Sequence, residues 1–260
     1  MRESIPSPVS PLLIGSVAAV IFLTIFAWAW AVRRPAPVDP GNAVGGLSHA
    51  GPVATPTPRL LTYAAIGASD VVGVGADDPK SESWINILLQ KMPAGTRFVR
   101  LGRSGITLRE ANSMEVPQAV AAKPDVITVW NCVNDALKGV QLPEYQGELK
   151  KTLTALTQGT GARIAVLNMP DITVLMKGHA PAAQQELVRG GIVRWNKGMA
   201  DTIAPFGDRV VLVDIFPFSE EVLQHPEYVS PDNFHPSTVG YARLAKVVWQ
   251  RMQQTHMLEH

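Results

Sequence analysis

From residue 59 onward, short apolar runs alternate with longer stretches of helical period, and no other feature limits the possible folds as tightly. The runs fall at residues 60–67, 97–101, 125–130, 163–168 and 209–215. Four of the five are dense in Val, Ile or Leu without polar alternation, as expected of strands covered on both faces. Helices are expected over 82–91, 108–122, 143–158, 182–203 and 238–254, and Pro/Gly clusters at 93–95, 159–161 and 205–207 mark the returns. Such alternation builds a parallel sheet with helices on both sides. The expected fold is therefore a three-layer α/β/α domain around about five parallel strands. No internal repeat interrupts it.

Open parallel sheets bind ligands beyond the carboxyl ends of their strands. Ser69 follows the first run, Gly105 the second and Asn134-Asp135 the third, while Asp232 and His235 come between the fifth run and the last helix. Every polar residue of chemical interest thus falls at one edge of the sheet. Singly, each has an ordinary reading. Ser69 or Asp70 could cap a following turn, Asn134 could shape one, and Asp232-x-x-His235 could start a helix or belong to an incomplete metal site. Ser237 is the better cap for the last helix, which leaves Asp232 and His235 free. Together, a hydroxyl, an imidazole and a carboxylate supply a nucleophile, its base and the group that orients the base, as covalent acyl transfer requires. An amide after a buried strand, Asn134, can aim N–H donors at an oxyanion, and Gly105 permits close approach of a peptide N–H. Asp135 reads as a buttress of its loop, and Cys132 as a small buried filler. His179 and His225 read as surface residues, and His49 falls in a linker. The segment 172–176 serves equally well as a pocket wall or as packed core.

The formal net charge of +1 and the absence of a Lys/Arg cluster argue against nucleic acid as a partner. One cysteine, Cys132, excludes an intrachain disulfide and any multi-cysteine metal site. No metal or organic cofactor is called for. About 200 residues suffice for one domain with its own core.

The N-terminal region is organised differently. Residues 11–32 carry no charge, and Arg33-Arg34 close the segment. As a helix these residues would span about 33 Å, enough for a hydrocarbon core of about 30 Å. A cleaved signal peptide, giving a secreted protein, would have a shorter apolar region and a small-residue cleavage site. The division expected is a tail over 1–10, a single membrane anchor over 11–32, a Pro/Gly-rich spacer over 33–58 and one folded domain over 59–257. A count of basic flanking residues favours a cytoplasmic domain, whereas the spacer favours an extracytoplasmic one held away from a membrane. The second reading is adopted here.

The motifs and their order resemble those of the SGNH hydrolases, also called GDSL-type esterases and lipases. The family's Gly-Asp-Ser-Leu is matched by Gly67-Ala68-Ser69-Asp70, with Val72-Gly73-Val74-Gly75 as its continuation. The glycine of the second block maps to Gly105, the third block to Cys132-Val133-Asn134-Asp135, and Asp-x-x-His to Asp232-Asn233-Phe234-His235. Ala68, Asp70 and Cys132 depart from the pattern, at positions without a catalytic role in the family. The resemblance implies a flavodoxin-like doubly wound sheet and a serine esterase working through an acyl-enzyme on Ser69. It implies the triad Ser69, His235 and Asp232, and an oxyanion hole from the Ser69 and Gly105 peptide N–H groups and the Asn134 amide. The substrate class spans lipid, alkyl or aryl, and acetyl-sugar esters. Two other uses stay open at this level: a membrane-tethered O-acyltransferase of cell-envelope polysaccharide, and a non-catalytic binding module.

Overall fold

The computed structural model describes residues 60–259. The anchor, spacer and His49 read from the sequence lie outside them. Among the described residues no helix is long and apolar enough to cross a membrane.

Five parallel strands form one sheet: β1 Thr62–Gly67, β2 Arg97–Arg100, β3 Val126–Trp130, β4 Arg163–Leu167 and β5 Val210–Val213, in the order β2-β1-β3-β4-β5. Each expected strand is present, one to three residues shorter at its ends. All six residues of β1 and all five of β3 are buried, which explains why those runs are apolar throughout rather than alternating. The order reverses at β1: the chain steps from β1 out to β2, then crosses back to β3. Right-handed crossovers therefore send the helices after β1 and after β2 to opposite faces. The Trp84–Lys91 helix packs on the closing helix Thr238–Gln254, while Leu108–Met114 and Val116–Ala122 pack on Leu142–Gly159, which packs on Ala182–Ile203.

One expected helix is interrupted. Residues 108–122 were read as continuous, but the helix breaks at Glu115. Pro117 has no N–H to give the Ser113 carbonyl, so the ladder lapses there. The break has a consequence for β1: the buried Glu115 carboxyl accepts the Gly67 N–H at 3.1 Å. The other long helices match their expected spans to within two residues. Short elements were not legible beforehand, among them the turns Ser69–Val72 and Val133–Leu137 and the 3-10 turn Ile172–Met176. A single turn contains too few residues to show a period.

The core lies on both sides of β1 and β3, with Trp84, Tyr63 and Tyr145 the largest side chains fully buried. Trp84 stands edge-on to Trp130 at 5.9 Å, joining the helix after β1 to the end of β3, where the site begins.

Candidate active site

The reversal of strand order between β1 and β3 opens a crevice at their carboxyl ends, where the chains diverge. Ser69 begins the short turn leaving β1. Its hydroxyl does not cap that turn, since Ala68 is the cap residue and makes no side-chain cap bond. Instead Ser69 Oγ lies 2.9 Å from His235 Nε2, although 166 residues separate them. His235 Nδ1 lies 2.6 Å from Asp232 Oδ2. The three side chains thus form one continuous relay.

The loop carrying Asp232 and His235 folds on local instructions. Asp232 Oδ1 accepts three hydrogen bonds, from Ser230 Oγ at 2.7 Å and from the Phe234 and His235 N–H groups at 2.9 Å each. Asn233 takes a left-handed conformation, φ 60°, which Asn tolerates better than other side chains. Ser230 N–H donates to the His235 carbonyl at 2.9 Å and closes the loop. The next helix begins at Ser237, whose Oγ accepts from Gly240 N–H at 3.2 Å, as expected of the cap.

What brings this loop to Ser69 is the segment after it. Gly75 has φ 99°, and a Cβ placed there would stand 2.4 Å from the Pro236 carbonyl oxygen and 2.9 Å from His235 Cβ. Only glycine allows this contact, which gives the second glycine of Val72-Gly73-Val74-Gly75 a physical purpose. Tyr241 Oη donates to the Val74 carbonyl at 2.7 Å, and Asp77 N–H donates to Thr238 Oγ1 at 2.9 Å. The segment after β1 and the closing helix are therefore fastened on both sides of Gly75.

Asn134 and Asp135 share the work of holding the loop after β2. Asn134 Nδ2 donates to the Ile106 carbonyl at 3.0 Å, and Asp135 Oδ2 accepts the Leu108 N–H at 2.9 Å. Asp135 is thus a buttress. Asn134 and Ser69 border the same small recess of about 260 Å³, with Asn131 and Phe234. Gly105 borders neither this recess nor the groove beside it; it sits on the loop one residue before Ile106, with φ 79° and open space where a Cβ would lie. Its conformation demands glycine although no neighbour crowds it. Cys132 is buried, and burial together with the Asp135 and Asp70 carboxylates pushes its thiol up. His179 and His225 are exposed.

A second, larger cavity of about 670 Å³ is bordered by His235. Ile172, Val174 and Leu175 wall it, so the segment 172–176 faces a groove rather than serving only as core. Phe218, Tyr228 and Phe234 also line it. Trp130, Val133, Phe234 and Asp70 border both cavities. Of these wall residues, Phe234 was within reach of sequence reasoning because it lies inside the Asp-x-x-His motif. Trp130 and Phe218 carried no local signal. Among the described residues no group of three or more His, Cys, Asp or Glu side chains could hold a metal ion.

The electrostatics suit the relay. Burial alone would raise the Asp232 carboxyl, but the His235, Ser230 and backbone donors outweigh it and hold the group well below the usual carboxylate range. Burial disfavours the charged imidazole of His235, yet Asp232 and Asp70 together lift its pKa above 6.5. Burial pushes the Asp70 carboxyl up, against the pull of His235.

The model of the GDSL-like lipase/acylhydrolase family matches residues 65–243, which span every group just described. The chain belongs to that family. It is a hydrolase of the ester-cleaving kind, and its fold has solved counterparts. An acetylxylan esterase from Geobacillus stearothermophilus is 20% identical, with 74% of this acylhydrolase and 94% of that chain covered at a TM-score of 0.59. A family 3 carbohydrate esterase from Clostridium thermocellum is 18% identical over 75% and 96% of the two chains, at a TM-score of 0.55. TesA is 20% identical over 75% and 99%, at 0.57. At these identities the likeness is one of fold. The acylhydrolase matches no curated protein sequence.

Proposed function

We propose that this acylhydrolase is a serine esterase that hydrolyses carboxylic esters through an acyl-enzyme on Ser69, with His235 as general base and acid and Asp232 as its orienter. The observation that carries the reading is the unbroken Ser69–His235–Asp232 chain at 2.9 and 2.6 Å. With Asp232 ionised, the imidazole proton sits on Nδ1, and Nε2 is left to take the Ser69 proton as Oγ attacks the ester carbonyl. The first N–H groups of a helical turn have no partner within it, so the Ser69 N–H is available to the oxyanion. The second N–H of the Asn134 amide, on the same recess as Ser69, adds to the donor set, and the Gly105 N–H enters it on the family resemblance alone, since Gly105 borders neither cavity. His235 then protonates the leaving alcohol, and a water activated in the same way releases the acid.

The groove beside His235 supports an apolar group on one side of the scissile bond, because its walls are aliphatic and aromatic. Alkyl or aryl esters, lipid esters and acetylated sugars fit that description. The uncharged segment 11–32 supports a membrane tether, and 33–58 a spacer presenting the domain outside the cytoplasm.

Labelling with a fluorophosphonate tests the reading. Wild-type protein is expected to form an adduct on Ser69 and to hydrolyse p-nitrophenyl esters. Ser69→Ala is expected to lose both, with turnover down by about 10⁶-fold. Folded wild-type protein that takes no label would instead favour a binding module.

A further inference from the structure

Asp70 is set apart from the other carboxylates at this edge of the sheet. It borders both the recess and the groove, so it stands beside the scissile bond whichever cavity takes the acyl group. Its main chain is fixed: Trp84 Nε1, fully buried, donates to the Asp70 carbonyl at 3.0 Å. Among the described residues no other side chain hydrogen-bonds its carboxylate, and the charged groups it faces are the site's own His235 and Asp232. Among the described residues no Lys or Arg borders either cavity. The other carboxylate on the groove, Asp171, is already matched, accepting from Arg189 Nε at 2.6 Å and from the Thr173 N–H at 3.1 Å. Asp232 is matched by four donors. Among the described residues that border the cavities, Asp70 is the carboxylate with no Lys or Arg partner, and the one cation it faces is His235 when the imidazole is protonated.

We infer that Asp70 is a specificity-determining residue, a charge filter that admits esters neutral or cationic next to the scissile bond and rejects those carrying an anionic group there. The inference rests on the esterase reading and gives it a substrate class. A second carboxylate brought within a few ångströms of half-buried Asp70 meets repulsion that no Lys or Arg bordering the cavities relieves. An ammonium or a hydroxyl donor at the same place finds an acceptor waiting.

A charge ladder at constant length tests it. The p-nitrophenyl esters of trans-2-pentenoate, monofumarate and trans-4-amino-2-butenoate present neutral, anionic and cationic acyl groups of nearly one size, and the trans double bond keeps the terminal group from attacking its own ester. Each kcat/KM is divided by the ester's own hydroxide-catalysed rate and then by the value for the pentenoate, so that any general loss in a variant cancels. In wild-type protein the anionic ester is expected about 10-fold or more below the neutral one, and the cationic ester at or above it. Asp70→Asn is expected to raise the anionic ratio by about 10-fold and to lower the cationic ratio. A flat ladder in wild-type protein, or ratios within about 2-fold between wild type and Asp70→Asn, overturns the inference, since either lies well under the discrimination one like charge exerts at this range. A role exerted only through the basicity of His235 would move the pH profile of all three esters together and leave the ratios unchanged, which also overturns it. Should Asp70→Asn fail to fold, the wild-type ladder still decides. Wild-type protein that turns over none of the three overturns the esterase reading, and the filter with it.

Discussion

Asp232 bonds His235 and Glu115 bonds the Gly67 N–H two residues before Ser69, yet their surroundings drive their carboxyl groups in opposite directions. Asp232 sits in a tight loop where four donors converge on its two oxygens. Glu115 lies under the end of β1 with a single donor, the Gly67 N–H, and its Oε1 makes no hydrogen bond to protein. Burial raises both; the donors reverse it only at Asp232, whereas Glu115 is pushed up to about 8. Asp135, buried with the Leu108 N–H as its chief donor, is pushed up to about 7. Asp232 has four donors and keeps a third of its side chain exposed, whereas Glu115 and Asp135 are buried with fewer donors; donors and depth together decide which carboxylates stay charged. The charged one orients a base; the others fasten loops.

The comparison can be broken at its charged end first. Asp232→Asn keeps the shape but offers His235 an amide in place of an ion, and is expected to lower kcat by about 10⁴-fold. The same change should displace the acid limb of kcat/KM. The neutral imidazole is the working form, so activity falls as pH drops through the His235 pKa, above 6.5 in wild-type protein. Without Asp232 that limb should move to lower pH. A limb that stays in place in Asp232→Asn would mean that Asp232 does not hold the imidazole.

Asn134→Ala tests the loop-fastening side for a catalytic share. If the amide serves the oxyanion as well as the Ile106 carbonyl, kcat should fall by about 10²–10³-fold with KM little changed. A loss confined to thermal stability would reduce Asn134 to a fastener.

Ser230→Ala removes one of the four donors to Asp232. The expected cost is about 1 kcal/mol, roughly a fivefold fall in kcat, measured with any ester the wild type accepts. Full wild-type kcat would show that three donors suffice.

The smallest effect falls on stability at the uncharged end. Between the ordinary Glu value of 4.5 and about 8, folded protein retains a proton at Glu115 that the unfolded chain gives up. Wild-type stability should therefore decline as pH rises through that window, and the penalty is complete above it. Glu115→Gln removes the titration. Its Tm should be similar to that of wild type near pH 5 and higher near pH 9, by about 2–4 °C for each kcal/mol of relief. A gap that does not widen with pH would place the Glu115 pKa near its ordinary value.

The strands and long helices were legible because their signals are local and repeated. A strand buried on both faces must be apolar at successive positions, as 126–130 is, and a helix of 17 or 22 residues repeats its pattern often enough to be read. The break at Glu115 was missed although Pro117 announced it. Proline in a first turn is also common at ordinary helix starts, so its presence alone did not say that one helix had become two. Within the site, Ser69, Asp232 and His235 were legible as residue types at strand ends. The groove was not, since Ile172, Phe218 and Tyr228 come from separate segments and mark nothing by themselves.

The sequence by itself determined the strand–helix alternation, the edge at which polar residues gather and the local turn that wraps Asp232 in donors, because each depends on near neighbours along the chain. Only the tertiary structure decided that Ser69 meets His235, that Gly75 must be bare to let the Pro236 carbonyl approach, and that Asp70 borders two cavities lined by no described Lys or Arg. Those are contacts between segments more than a hundred residues apart, or properties of the space between them. Their distances are set by how the closing helix docks beside β1, which no run of neighbouring residues encodes.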